Sequence, residues 1–321
     1  MADDADITYP DILPANDLSD SVGDNSVHTF QLESNAFRGR SVRLGSVLDE
    51  ILSAHEYPDE IAYLVAETLT LTVLLSSMLK FEGIFTLQAK GEGAVNMLVA
   101  DMTSEGGLRA CATFDKDALQ EVTAKRGDAD FLSSILGKGY IAFTVDQKLG
   151  ERYQGIVELK GSSLVECAQH YFEQSEQIKT GIVLAADRID GAWRSGGIML
   201  QEIPDEGGVD AASSADDEDE WQRAMAFLES ASDAEILSSD ISANDLLHRL
   251  YHEEGVRVFE PLALRQECRC DEERVKNVLS NMSDEDMEEM SRDGVISMRC
   301  EFCSYDYEFD AKTLEPVVRD E

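Results

Sequence analysis

Four cysteines in the last fifth of the chain constrain its fold more than any other feature. Cys268 and Cys270 form a Cys-x-Cys pair and Cys300 and Cys303 a Cys-x-x-Cys pair, the number and kind of ligands that one tetrahedral zinc takes. The stretch between them, residues 271–299, is long enough for a helical segment and a hairpin strand that bring the pairs face to face. The pattern predicts a helix from Asp271 to about Asn281 with Val275, Val278 and Leu279 inward, and a short acidic helix opened by Ser283-Asp-Glu-Asp286. A hairpin follows whose turn holds Cys300 and Cys303, with Tyr305, Tyr307 and Phe309 alternating on the return strand. So few aliphatic side chains in residues 267–321 make a poor core, whereas structural zinc contributes ~10–16 kcal/mol of apparent free energy in small zinc-dependent folds. The metal is therefore expected to decide whether this segment folds. Packing of the four thiols as small hydrophobes fits less well, because their neighbours are Glu267, Arg269, Asp271, Arg299, Glu301 and Ser304.

Zinc ligation implies a redox consequence. It holds all four sulfurs as thiolates, and the thiolate is the form that oxidants attack. Two disulfides would leave the metal without ligands. Were Cys268 to pair with Cys270 and Cys300 with Cys303, the long cross-link between the halves would vanish and only short loops would close, which constrain an unfolded chain less. Four cysteines allow three pairings, and the residues alone leave the choice open. The other two cysteines, Cys111 in a strand of small residues and Cys167 in an amphipathic helix, read as core packing.

The formal net charge of −38, from 65 acidic against 27 basic side chains, repels phosphate backbones, so nucleic acid is not expected as a partner. Residues 1–27 carry seven Asp and no basic residue, and residues 205–220 carry eight acids and no basic residue, so both read as disordered. Arg38, Arg40 and Arg43 offer a local basic patch. The acidic start lacks a signal peptide's basic n-region and apolar stretch, which points to an intracellular location. The longest apolar run, residues 69–79, is too short for the ~20 residues of a membrane span and reads as a buried helix, so no membrane partner is expected.

Hydrophobic periodicity divides the chain. Strands are expected at residues 27–32 and 41–44 around a turn at Arg38-Gly-Arg40, then two helices over residues 45–80 broken at Tyr57-Pro58. A meander over residues 85–113 is punctuated by Gly91-Glu-Gly93 and Glu105-Gly-Gly107, with no Gly-Lys-Ser/Thr to make a phosphate loop. A hairpin over residues 140–158, a helix from Ser163 to about Gln174 and strands at 181–186 and 197–201 complete an α+β domain over residues 28–203. Histidines at 28, 55, 170, 248 and 252 and the absence of a nucleophile motif argue against an enzyme. Beyond the spacer, Trp221, Ala224, Met225 and Leu228 form one helical stripe. A second short helix is announced by Ile241-Ser-Ala-Asn-Asp-Leu246, with Ser242 as cap, Asp245 returning the bond and Ile241 stapled to Leu246. Apolar faces of modest extent fit helices that persist only while docked, and the pattern fits ordinary helices packed permanently on the domain equally well.

These motifs, in this order, resemble the heat-shock protein 33 family of redox-regulated holdase chaperones. The resemblance runs from about His28 to Phe309 through Phe30-Gln-Leu-Glu33, Arg38-Gly-Arg40, Tyr171-Phe-Glu-Gln-Ser-Glu176, Gly196-Gly-Ile-Met-Leu-Gln201, Leu250-Tyr-His-Glu-Glu254 and the cysteine pairs. It implies an α+β N-terminal domain of antiparallel sheet and helices (residues 28–203) after an acidic tail (1–27). A spacer and metastable helical linker (204–266) and a zinc-binding redox-switch domain (267–321) would follow. It implies an ATP-independent, non-enzymatic, cytoplasmic chaperone that binds unfolding client proteins under oxidative stress. The reduced form, with zinc on Cys268, Cys270, Cys300 and Cys303, would be inactive. Oxidation would form the Cys268–Cys270 and Cys300–Cys303 disulfides, release zinc, unfold residues 218–266 and leave an active homodimer built through the first domain. Two other classes fit less well: a zinc-ribbon nucleic-acid binder, opposed by the charge, and a thiol oxidoreductase on Cys300-x-x-Cys303, opposed by the strand rather than helix that follows it.

Overall fold

The computed structural model describes residues 23–33, 37–125, 131–203 and 215–317. The disorder expected of residues 1–22 and 205–214 lies outside the described residues.

The chain opens with β1 (Ser26–Leu32) and β2 (Phe37–Leu44), then α1 (Ser46–Ser53) and α2 (Asp59–Ser76). The meander follows as β3 (Gly83–Gly91), β4 (Val95–Thr103) and β5 (Gly107–Phe114), then α3 (Lys116–Lys125) and α4 (Phe131–Leu136). Next come the hairpin β6 (Gly139–Gln147) and β7 (Tyr153–Glu158), α5 (Leu164–Tyr171), β8 (Thr180–Ile189) and β9 (Ala192–Glu202). Ser163 caps α5 by accepting from the Glu166 amide at 3.1 Å. The short helices α3 and α4 were not anticipated, since α4 spans one and a half turns and sets too little pattern to recognise.

Two antiparallel sheets sandwich α2. One runs β1-β2-β9-β8 and the other β5-β4-β3-β6-β7. Fifteen residues of α2 are buried, so the helix is apolar all round, as the reading of residues 69–79 required. Its Thr68, Thr70 and Thr72 hydroxyls are satisfied by the carbonyls one turn back, at 2.6, 2.8 and 2.7 Å.

The expected turn at Arg38-Gly-Arg40 is a correction: these residues lie inside β2, paired with β9. Gly39 is there for space. A Cβ would fall 2.1 Å from the Phe30 ring and 2.7 Å from the Met199 carbonyl oxygen. Nor do the three arginines form an exposed basic patch. Arg40 and Arg43 are buried, and their guanidiniums are turned onto main-chain carbonyls of Ser77, Gly39, Glu235 and Ile241.

The segment expected as a linker contributes α6 (Ala215–Glu229), α7 (Asp233–Leu237) and α8 (Ala243–Tyr251). Ordered structure thus reaches into both acidic stretches, at Ser26 and at Ala215. The linker's apolar face is larger than expected. Trp221, Ala224, Leu228, Ile236, Leu237, Leu246, Leu247, Leu250 and Tyr251 are all buried against Phe30, Leu32, Phe37, Ile198 and Leu200 of the first sheet. Two sheet glycines permit this approach: a Cβ on Gly181 would lie 2.2 Å from Met225 Sδ, and one on Gly196 would lie 3.0 Å from Ile236. Ser242 caps α8 as expected, but Asp245 accepts from the Ser242 hydroxyl rather than its amide. The reciprocal capping box stands instead at Ser232 and Glu235.

Three short strands then return the chain to the core. β10 (Val256–Val258) and β11 (Leu262–Ala263) pair with β1, and β12 (Arg265–Gln266) runs parallel to β5. At two or three residues each they carry no alternation to read. The chain ends in α9 (Glu272–Leu279), α10 (Asp284–Met290) and the hairpin β13 (Val295–Arg299) and β14 (Asp306–Asp310). Val278, expected inward, is 53% exposed, because the buried core of this unit among the described residues is small: Leu279, Ile296, Tyr307 and Phe309. Among the described residues no helix is long and apolar enough to cross a membrane.

Candidate metal centre

The two cysteine pairs arrive from different directions. β12 delivers Cys268 and Cys270, continuing the parallel pairing through a 2.8 Å bond from the Glu267 amide to the Leu108 carbonyl. The β13–β14 hairpin delivers Cys300 and Cys303 in its turn. That turn is closed by bonds from the Cys300 amide to Tyr305 O (2.9 Å) and from the Ser304 amide to Cys300 O (2.8 Å), with Ser304 left-handed at φ 56°. Strand β14, not a helix, follows Cys303 in the chain.

All four sulfurs lie within 4.8 Å of one another. Neighbouring separations are 3.3 Å for Cys268–Cys270, 3.7 Å for Cys268–Cys300 and 3.4 Å for Cys270–Cys303. A tetrahedron with zinc–sulfur bonds of about 2.3 Å has edges of about 3.8 Å, so the donor set fits one such ion. The electrostatics agree. Burial first, and then hydrogen bonding to Cys270, Cys268 and Cys300, pushes the bare Cys303 thiol well above the usual range. A divalent cation removes that penalty by compensating the thiolates. The Tyr307 hydroxyl donates to Cys270 Sγ at 3.2 Å, an outer-shell contact of the kind that fixes a ligand's orientation. Cys111 and Cys167 are buried and lie in the core, as expected. Burial also pushes the Cys111 thiol up to about 12.

The core residues that receive this unit were not recognised in the sequence. Asp101 on β4, 4% exposed at its side chain, pairs with Arg109 across the strand at 2.7 Å and with Arg269, the residue between Cys268 and Cys270. The Arg109 guanidinium lies 3.8 Å from the ring centroid of Phe302, between Cys300 and Cys303. His55 Nε2 donates to the Phe302 carbonyl at 3.2 Å, which leaves Nδ1 to accept from the Ser304 hydroxyl at 3.3 Å. Only the two motif residues, Arg269 and Phe302, carried any signal; their partners lie more than 150 residues away in sequence.

A family model described as Hsp33 protein matches residues 25–310. The chain is 37% identical over 309 residues to a 33 kDa chaperonin of Caulobacter vibrioides, covering 94% of this chain and 98% of that protein. It is 35% identical to the 33 kDa chaperonin of Azotobacter vinelandii (89% of this chain, 91% of the relative). With that of Escherichia coli it shares 32% identity (91% and 94%). Its fold resembles the crystal structure of the 33 kDa chaperonin from Thermotoga maritima, with a TM-score of 0.74 at 19% identity over 90% of this chain and 96% of that one.

Proposed function

This chain belongs to the Hsp33 family, and from that membership we propose that it is a redox-regulated, ATP-independent chaperone that holds unfolding proteins under oxidative stress. The observation that carries the proposal is the gathering of four thiols in a unit whose own core is four side chains. Such a unit depends on its cross-link.

Zinc, when bound, would hold Cys268, Cys270, Cys300 and Cys303 as thiolates and tie the two halves of the unit together. The oxidant is hydrogen peroxide. One thiolate of a pair attacks the O–O bond, gaining a sulfur–oxygen bond as water leaves. The second thiolate then displaces the oxygen as a further water, with protons drawn from solvent. Each pair gives up two electrons, and one peroxide takes them. The pairing of Cys268 with Cys270 and Cys300 with Cys303 follows the family resemblance, since the sulfur separations favour no partner. With each pair closed on itself, no metal or sulfur cross-link joins β12 to the hairpin turn.

The linker then loses its anchor at Gln266. Its helices are held by the apolar face and by two arginines of adjacent strands. Arg43 donates to the carbonyls of Glu235 and Ile241, and Arg194 to that of Leu237 at 2.8 Å. Undocking exposes Phe30, Leu32, Phe37, Ile198 and Leu200 on the sheet together with the linker's own apolar stripe, a contiguous surface suited to unfolding chains. The active form is a homodimer through the first domain, working in the cytoplasm without catalysis, nucleic acid or membrane.

Native mass spectrometry tests the switch. The reduced protein should carry one zinc. Peroxide should leave it metal-free and four hydrogen atoms lighter than the metal-free reduced chain, with peptide mapping placing both disulfides among these four cysteines and none at Cys111 or Cys167. Zinc retained after complete oxidation would sink the proposal.

A further inference from the structure

Joining two sulfurs that stand 3.3 Å apart shortens their separation to about 2.0 Å, and within Cys268-x-Cys270 the single intervening residue must absorb the change. That residue is Arg269, and its side chain is not free. It is 14% exposed and ion-paired with Asp101. The second motif repeats the arrangement, because Phe302, between Cys300 and Cys303, stacks on Arg109 and is bonded through its carbonyl to His55. The residues that separate the thiols are thus the residues that grip the core.

We propose that Asp101, Arg109 and His55 are positioning residues of the metal centre, a receptor on the core that holds the cysteine unit through Arg269 and Phe302 and lets it go when either cysteine pair is rearranged. This rests on the metal and redox reading above and names how that site is coupled to the core.

The chemistry of the receptor suits release. The Asp101 carboxylate is fully engaged, accepting from Thr86 Oγ1 at 2.6 Å and from Arg109 Nε at 2.8 Å, and it also receives Arg269. Two guanidiniums share one carboxylate. Arg269 Nη1 is buried with no acceptor among the described residues. When Arg269 leaves, Arg109 still pairs Asp101, so no buried carboxylate is stranded and the step reverses readily. His55 is likewise supported when the unit leaves, stacked on Tyr57 at 4.6 Å between centroids. Asp101 and Arg109 face each other across β4 and β5, and β5 also pairs with β12, so the grip and the linker's last strand share one sheet edge.

The test compares the reduced, zinc-loaded full chain with Arg269→Gln, Asp101→Asn and the double variant. It reads the rate of zinc transfer to a chromogenic chelator without oxidant, and hydrogen exchange of the β5 amides. All four zinc ligands remain, so zinc content should stay at one per chain. Transfer should speed up about tenfold in each single variant, with the double variant no faster than either, because the two residues form one contact. Thr86→Val, which removes another Asp101 partner without touching Arg269, should change the rate less than twofold. Transfer within twofold of the parent in Arg269→Gln, or fully additive effects in the double variant, would overturn the receptor. Should Asp101→Asn destabilise the core, seen as faster exchange in α2, Arg269→Gln decides alone. A parent that binds no zinc would overturn the underlying reading as well, whereas a parent that binds and releases zinc beside unaffected variants would overturn only the receptor.

Discussion

Replacing Arg43 with alanine should undock the linker while the cysteine centre remains intact. Arg43 is 7% exposed and sends Nη2 to the Glu235 carbonyl at 2.9 Å and Nη1 to that of Ile241. These carbonyls lie in α7 and just before α8, so one side chain ties both helices to β2. Hydrogen bonds from a charged donor contribute about 1.5–3 kcal/mol each. Against this stands relief from keeping a guanidinium buried, the main reason that its pKa is lowered. A net loss of about 2–4 kcal/mol follows, which raises the open fraction of the linker roughly 30- to 700-fold at tenfold per 1.4 kcal/mol. Hydrogen exchange of the reduced, zinc-loaded protein measures it, with the amides of Leu246, Leu247, Leu250 and Tyr251 as reporters and those of α2 as reference. Faster exchange in the reporters alone is the expected result. Unchanged reporters, or equal acceleration in α2, would refute the clamp.

Other perturbations separate linker, core and metal. Gly181→Ala should loosen α6, since the new Cβ lies 2.2 Å from Met225 Sδ and 3.0 Å from Leu228; limited proteolysis within α6 should accelerate while the core's melting temperature changes little. Glu67, 3% exposed in α2, has its carboxyl pushed up to about 7 by burial, against the Leu164 and Val165 amides that favour its charge. Its folded pKa exceeds the unfolded value, so its contribution is complete below pH 4.5 and is lost as pH rises through 7, about 3 kcal/mol in all. Glu67→Gln keeps the acceptor without the titration and should stabilise the protein at pH 8 but hardly at pH 4.5; equal melting temperatures at pH 8 would contradict this. The opposite slope from His28, lowered to about 4 by burial and then Arg43, weakens the fold as pH falls from 6.5 to 4 and is common to both proteins. Cys300→Ser should lose zinc and free the linker, and unchanged zinc content would count against a four-ligand site.

What the sequence disclosed follows its periodicities. The buried helix α2, the meander and the cysteine hairpin were legible because their patterns span several repeats and their punctuation is local. Arg38-Gly-Arg40 misled because Gly39 looks like a turn residue, whereas its role is to admit the Phe30 ring from a neighbouring strand. Val278 misled because a helix packed on a four-residue core buries one edge only. The four thiols were legible as a group that could hold a metal ion, but the part played by Asp101, Arg109 and His55 was not. Nothing near them in sequence marks a charged pair and a histidine as the seat of a unit more than 150 residues downstream. The linker's docking was half legible: its stripe announced helices, yet the carbonyl clamp by Arg43 and Arg194 arises only when distant strands meet.

The central claim is tested most directly by light scattering from a thermally unfolding client protein, with this chain added either reduced and zinc-loaded or after peroxide treatment at raised temperature. Suppression of scattering by the oxidised form alone is the predicted result. Equal suppression by both forms, or by neither, would contradict the redox switch.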